Sequence, residues 1–301
     1  RNDQGDVTGI TLEVWNDINV TAERIEVEAD DGTALQTAGD MNIGHIQAGG
    51  LVRLQAGGAL IDLHTHNEAA VSAGGNLILL ATDEVQGTLG SPENRFRIDL
   101  ADPATFTARV GVSMDIQDAG NLHLGTVTGP RVDLAASGDI LDGSQEEGAN
   151  LTAGETLVLH AGGGIGTPEE DVDFDSPGSS RQWVLEVQGD QGVYLREVSG
   201  PLVINDFFSV VSQNGDIRFT VQDTANLGED LRVTGTRSRA LYTPAGSVIL
   251  RAGDDLIVED EPLIEAALDV VLFADFGNAD PGVGGSVTVL TPILASSVKI
   301  F

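Results

Sequence analysis

The chain has 301 residues and is 41% hydrophobic, enough for a sizeable core, but 4% aromatic residues and 38 glycines favour short strands and turns over helices. Its 47 acidic and 15 basic residues give a net charge of −32, which argues against nucleic-acid binding because phosphates would be repelled. The absence of cysteine excludes disulfides and thiolate metal sites. The sequence contains no run of about 18 apolar residues, so it predicts no membrane-spanning helix.

The two ends of the sequence suggest a segment of a longer chain. Residues 1–9, RNDQGDVTG, lack the basic start and the apolar stretch of a signal peptide. Residues 286–301, SVTVLTPILASSVKIF, stop within an alternating apolar pattern, as though a further strand followed. We therefore expect additional repeats beyond this sequence.

A short pattern recurs along the chain. Clear copies are AGGLVRLQAGGALID at 48–62, AGGNLILLATDEVQG at 73–87, AGETLVLHAGGGIGT at 153–167 and AGSVILRAGDDLIVED at 245–260. Weaker copies start at Ala119 and Ala267. The second copy begins 25 residues after the first, which indicates a repeated structural unit of about that length.

Each copy has the alternation of a β-strand followed by a tight corner. In the first copy Val52 and Leu54 are apolar whereas Arg53 and Gln55 are polar, a period of two. A corner such as AGGG at 161–164 then turns the chain, because glycine tolerates positive φ. One such unit has a single apolar face and cannot bury it alone, so the copies are expected to stack.

This repetition predicts an all-β fold, a β-solenoid. With about 25 residues per coil, residues 1–301 would form a single continuous solenoid of roughly ten to twelve coils. A β-sandwich array or a propeller is the alternative, because strand spacing alone separates all-β folds poorly.

Four segments interrupt the period and are predicted to leave the solenoid as loop insertions, most of them acidic. They are residues 88–105, 142–150, 167–182 and 276–285. Each contains the Pro, Gly, Asp or Asn residues that form turns. Insertions in solenoids usually share one face, and that face often binds ligands.

The stretches GGNLILLATDEVQGTLGSPENRFRIDL and LVLHAGGGIGTPEEDVDF resemble the filamentous haemagglutinin-type repeats of large secreted bacterial adhesins. In those repeats, strands of the form G-x-L-x-L-x-A-G-G-x-I lead into a linker similar to I-G-T-x-x-N-P-L. The linker appears here at 89–96 and at 165–170, where Glu170 replaces the expected Asn. The resemblance covers most of the chain and implies a right-handed parallel β-helix and a secreted, extracellular or cell-surface location.

Parallel β-helices also include polysaccharide lyases and hydrolases, which need carboxylates at a defined separation. The candidates are Asp254 and Asp255 near Arg251, and the acidic run at 169–175. Adjacent residues on a strand point to opposite faces, which is unfavourable for an acid–base pair. The expected function is therefore non-enzymatic, with a carbohydrate-active β-helix enzyme as the alternative.

Calcium is the candidate metal, because carboxylate and carbonyl oxygens are abundant in the loops. The candidate ligands are Asp171, Asp173, Asp175, Asp254 and Asp255. The stretch DVDFDS at 171–176 resembles the start of a calcium loop but lacks the Gly and the closing Glu of an EF-hand. An acidic loop without a ligand is the alternative.

Histidines offer a weaker metal site. His64 and His66 share a strand face in LHTHN, and Asp62 would supply a third ligand. A solvated polar row is the preferred interpretation, because two histidines do not form a motif.

Taken together, these patterns predict a structural or adhesive segment of a giant secreted surface or extracellular-matrix protein, which mediates attachment or forms filaments. Open coil ends expose unpaired strand edges, so we expect self-association end to end or with further repeats of the same chain. A cell-surface or glycan ligand is a further candidate partner. Ice binding is disfavoured because Thr126 and Thr128 do not recur at the coil period.

Overall fold

A computed structural model describes residues 25–64, 68–144, 148–177, 183–225, 228–236, 240–260, 264–277, 279 and 284–301. All regular secondary structure in these ranges is β. No helix capable of spanning a membrane occurs among them. The chain divides into two compact units, residues 1–138 with 143–145, and residues 139–142 with 146–301.

The first unit contains strands β1 to β12 in its described part. They are β1 Ile25–Ala29, β2 Thr33–Thr37, β3 Met41–Ala48, β4 Val52–Ala56, β5 Leu60–Asp62, β6 Val71–Ala73, β7 Leu77–Ala81, β8 Thr88–Leu89, β9 Phe96–Leu100, β10 Thr105–Val110, β11 Ser113–Asp118 and β12 Leu122–Ala136. Alternate residues are buried, as the period-two pattern predicts: in β4, Val52, Leu54 and Ala56 are buried and Arg53 is exposed.

The sequence repeat sets the register between β4 and β7. These strands are parallel and pair residues 25 apart: Val52 with Leu77, Leu54 with Leu79, and Ala56 with Ala81. All six side chains are fully buried. The repeated sequence is therefore a stack of equivalent strands whose apolar residues lie over one another.

The second unit contains strands β13 to β28 in its described part. They are β13 Ile140–Asp142, β14 Leu151–Ala161, β15 Val172–Asp175, β16 Val184–Gly189, β17 Val193–Glu197, β18 Leu202–Ile204, β19 Phe208–Ser212, β20 Ile217–Val221, β21 Leu231–Val233, β22 Leu241–Thr243, β23 Val248–Arg251, β24 Leu256–Val258, β25 Ile264–Ala266, β26 Asp269–Phe273, β27 Val287–Val289 and β28 Ser297–Ile300.

From β16 to β27 these strands follow one another in a cycle of three. Strand β16 pairs in parallel with β19, β17 with β20, and β18 with β21. The same step continues from β19, β20 and β21 to β22, β23 and β24, and then to β25, β26 and β27. Each strand therefore lies beside the strand one coil later, an all-β arrangement of parallel strands consistent with a β-solenoid.

Two of the predicted loops contain strands, which corrects the boundaries given above. Residues 88–105 include β8 and β9, and residues 167–182 include β15. In β9, Phe96, Ile98 and Leu100 are buried, because apolar alternation continues through a stretch rich in turn-forming residues. Of the described residues of 142–150, only Asp142, the last residue of β13, belongs to a strand, and the described residues of 276–285 contain none.

The two linkers, at 89–96 and 165–170, contain the same hydrogen-bonded turn. The turn spans 91–94 in the first linker and 167–170 in the second. Its first and last residues exchange two backbone hydrogen bonds, at 3.0 and 3.1 Å in 91–94 and at 2.7 and 3.2 Å in 167–170. The preceding residues, Gly90 and Gly166, have φ values of 68° and 64°. A Cβ at Gly90 would lie 2.5 Å from the carbonyl oxygen of Asp115. Glycine is therefore required at the entrance to the turn.

Candidate functional site

Polar and aromatic side chains form a row on the outer face of one sheet in the second unit. The register places Asp173 beside Arg196, Arg196 beside Thr220, Thr220 beside Arg251, and Arg251 beside Phe273. Parallel pairing brings these residues together because neighbouring strands lie about 4.8 Å apart. Stacking thus gathers arginines on one face of a chain that has only 15 basic residues.

Arg196 neutralises Asp173 from the next coil. Its Nε donates to Oδ1 of Asp173 at 2.7 Å and its Nη2 donates to Oδ2 at 2.5 Å. The carboxylate is fully buried. Burial raises the pKa of Asp173, and the hydrogen bonds and charge of Arg196 offset part of that rise. The pair is structural, since removal of Arg196 would leave a buried carboxyl group without its partner.

Arg218 fastens the second linker to the sheet. Its Nε and Nη2 donate to Oδ1 of Asp171 at 2.9 and 2.5 Å. Its Nη2 also donates to the carbonyl oxygen of Thr167 at 3.2 Å, and its Nη1 donates to that of Pro168 at 2.8 Å. The hydroxyl of Thr220 donates to the other oxygen of Asp171 at 3.1 Å. The guanidinium also lies 4.8 Å from the ring centroid of Tyr194. Arg218 is therefore a buried clamp rather than an available ligand-binding group.

Arg251 lies on the same face as Arg196 and Arg218 and differs from them in its contacts, which are with aromatic rings. Its guanidinium is 4.5 Å from the ring centroid of Phe276 and 5.9 Å from that of Phe273. Its Nε is buried and has no hydrogen-bond partner in the described part of the chain. Burial lowers the pKa of Arg251, and the charge of Arg218 lowers it further. Arg251 is a partly desolvated cation held against aromatic rings.

The alternating aspartates of 171–176 each bind a different side chain. Asp171 binds Arg218, Asp173 binds Arg196, and Asp175 accepts a 2.7 Å hydrogen bond from the hydroxyl of Ser199. Across the described ranges, no group of three or more His, Asp or Glu side chains is arranged to hold a metal ion. The alternation that suggested a calcium loop serves pairing between coils in this structure.

Asp254 and Asp255 lie at the corner between β23 and β24, and each binds a different coil. Oδ2 of Asp254 accepts from the backbone N–H groups of Gly228 and Glu229, at 2.6 and 3.0 Å. Oδ1 of Asp255 accepts from the backbone N–H and the hydroxyl of Ser286, both at 2.9 Å. These two carboxylates hold neighbouring loops, the first in the preceding coil and the second in the following one.

Asp62, the third ligand of the predicted histidine site, already has partners. Its Oδ1 accepts from the backbone N–H of His64 at 2.7 Å and lies 3.1 Å from the Nδ1 atom of that ring. Its Oδ2 accepts from Arg97 at 3.2 Å. The ring of His64 meets that of His45 edge-on, with 6.4 Å between centroids. His66 lies outside the described residues.

Two fully buried carboxyl groups have strongly raised pKa values. Burial raises the pKa of Glu197 to about 8, although both oxygens accept from the backbone N–H of Ser176 at 3.1 Å. Burial raises the pKa of Asp118 to about 7, although it accepts from the backbone N–H of Gly120 at 2.7 Å. Both groups are the last residues of their strands, β17 and β11. Asp118 binds the turn after β11, whereas Glu197 binds the backbone after β15 and, through Ser199, the turn after β17.

The last described coil exposes residues whose counterparts are buried one coil earlier. Val298 and Ile300 of β28 pair in register with Val270 and Leu272 of β26. The latter two are 0% exposed, whereas Val298 and Ile300 are 44% and 57% exposed. Large exposed apolar side chains also occur nearby at Leu290, Leu294 and Phe301. In the described part of the chain, β28 pairs with a strand on one side only.

The sequence pattern pointed to the carboxylates and to Arg251, but not to Arg196 and Arg218. These arginines stand at outward positions of the apolar strands VYLRE and IRFTV, which was the available signal. Their partners lie 23 and 47 residues away in sequence, so only the register between coils identifies them.

In comparisons with protein families, curated proteins and solved structures, no match to this chain was found. The resemblance of the two linkers to adhesin repeats therefore stays a prediction. A functional proposal for the chain rests on its own residues and contacts.

Proposed function

We propose that this chain is a non-enzymatic structural and adhesive segment of a large secreted or cell-surface protein. On this proposal its fold is a right-handed parallel β-helix, as the resemblance to filamentous haemagglutinin-type repeats implies. Its role is to join further β-coils at an open end and to mediate attachment or build extracellular filaments.

The observation that carries this proposal is the exposed apolar face of β28, where Val298 and Ile300 are 44% and 57% exposed. The fitting partner is another parallel coil that extends the apolar columns ending at Val298 and Ile300. Complete burial of one such side chain contributes about 1.5–3 kcal/mol. The open edge of β28 would supply backbone hydrogen bonds to the same partner.

The contacts of the candidate catalytic carboxylates support a non-enzymatic role. Asp254 holds backbone N–H groups and is 3% exposed, and Asp255 holds Ser286. Asp171 and Asp173 are neutralised by arginines. A general acid or base needs a carboxyl group that can reach a substrate proton, and these groups are engaged by the protein itself.

End-to-end association can be tested by multi-angle light scattering and electron microscopy over a range of protein concentrations. We expect wild-type particles to lengthen with concentration. The double variant V298E/I300E should remain monomeric, because two carboxylates would be buried in the contact. K299Q is the matched control, since Lys299 lies between them but binds Asp269 on the same coil stack. A wild-type protein that is monomeric at every concentration, with and without EDTA, would refute end-to-end association.

A further inference from the structure

We propose that Arg251, with Phe273 and Phe276, forms a binding site for a carboxylate-bearing sugar residue. The inference deepens the adhesive part of the proposed function and rests on it, because it names the chemical class of ligand that the outer face of the solenoid would hold. Nothing in the end-to-end contact of β28 is required for it.

The first argument is the unmatched positive charge of Arg251. In a chain with 47 acidic residues, Arg196 and Arg218 on the same face each hold a carboxylate. Within the described ranges, Arg251 holds no carboxylate and its buried Nε has no hydrogen-bond partner. Arg251 is only partly buried, and a partly desolvated guanidinium without a carboxylate is unfavourable, so an external carboxylate is favoured at the part of the group that stays exposed. A carboxylate fits the planar guanidinium through two parallel hydrogen bonds.

The second argument is the aromatic surface around Arg251. Phe276 is 37% exposed and packs against the guanidinium. Phe273 stacks on Phe301 with 4.8 Å between ring centroids and 15° between planes, and Phe301 is 66% exposed. Flat exposed rings beside a fixed polar group match a sugar, which has an apolar C–H face and a polar edge. Aromatic packing also holds the guanidinium in one orientation.

The third argument concerns the charge of the ligand. With a net charge of −32, the chain would repel a polyanion at long range. One uncompensated arginine matches one carboxylate. Salt at physiological strength screens distant charges beyond about 8 Å but leaves a contact ion pair largely intact. The fitting ligand is therefore a largely neutral glycan that carries a single uronic acid.

The test uses two trisaccharides that differ only in the terminal sugar, glucuronic acid in one and glucose in the other. Binding to the full chain is measured by titration calorimetry and by saturation-transfer NMR in 0.15 M salt. We expect the uronic acid ligand to bind at least ten-fold more tightly than the glucose ligand. Equal binding of the two ligands, or no binding of either, would overturn the proposal.

Variants then locate the site. R251Q should abolish the preference for the uronic acid, and F276A should weaken both ligands while retaining the preference. R53Q is the matched control, because Arg53 is exposed and its hydrogen-bond partner among the described residues is Gln55. A preference that survives in R251Q would also overturn the proposal. If R251Q does not fold, the comparison of the two ligands on the wild-type chain together with F276A decides the matter.

The outcomes separate this site from the proposed function as a whole. Loss of the uronic acid preference in R251Q with unchanged particle lengthening would assign the ligand to the outer face alone. Particle lengthening without any sugar preference would leave the structural role in place and refute the sugar site.

Discussion

Replacement of Glu197 by Gln should change how the stability of this protein depends on pH. The carboxyl group is fully buried at the end of β17 and accepts hydrogen bonds from the backbone N–H groups of Ser176 and Ser199. Burial raises its pKa from the ordinary value of 4.5 to about 8, and the negative charge of Asp175 adds to the rise. Between these pH values the folded protein holds a proton that the unfolded chain has released.

The sign follows from this proton difference. Because the folded state binds more protons than the unfolded state, the free energy of unfolding falls as the pH rises toward 8 and then levels off. Each pKa unit corresponds to about 1.4 kcal/mol, so the loss between pH 5 and pH 8 is about 4 kcal/mol. Glutamine stays neutral and its oxygen still accepts from the two backbone N–H groups. The E197Q variant should therefore lack this loss and exceed the wild type in stability at pH 9.

Urea denaturation between pH 5 and pH 9 measures this difference at pH values above the sequence pI of about 4.1. E186Q is the control, because it makes the same change at an exposed position of β16, the strand that precedes β17 in sequence. If the difference in unfolding free energy between E197Q and the wild type is the same at pH 5 and pH 9, the raised pKa of Glu197 is wrong. A pH-dependent difference of the same size in E186Q would also refute the argument, because it would show a general charge effect.

Three further predictions concern the framework of parallel strands. R218A should lower the free energy of unfolding by about 3–5 kcal/mol, because Asp171 loses its buried partner. R232A, which breaks the exposed pair with Glu259, should lower it by about 1 kcal/mol or less, and urea denaturation measures both changes. G90A should lower the free energy of unfolding by about 1–2 kcal/mol or more, because Gly90 has a positive φ and a Cβ there would lie close to the backbone of Asp115. G39A should leave stability nearly unchanged, because a Cβ at Gly39 would meet open space, and thermal melts compare the two variants. D118N should remove a stability loss of about 2–3 kcal/mol between pH 5 and pH 7, since burial raises the pKa of Asp118 to about 7; equal pH profiles in variant and wild type would contradict this.

The sequence by itself determined the all-β class, the inward side chains and part of the register. Val52 and Leu54 alternate with polar residues, and the next copy of the pattern lies 25 residues further on, so the pairing of Leu54 with Leu79 follows directly. This information is local: a period of two selects the buried face, and a repeat at a fixed distance aligns one coil on the next.

The composition of the outer face was decided only by the tertiary structure. The step from one coil to the next is not constant: Ile217 pairs with Val248, 31 residues on, and Val248 pairs with Val270, 22 residues on. Loops of different length between the strands therefore set which outward side chains meet. For this reason the sequence showed the alternating aspartates of 171–176 but not their partners. Stacking of the coils brings Arg196 and Arg218 to two of them and, among the described residues, leaves Arg251 without a carboxylate.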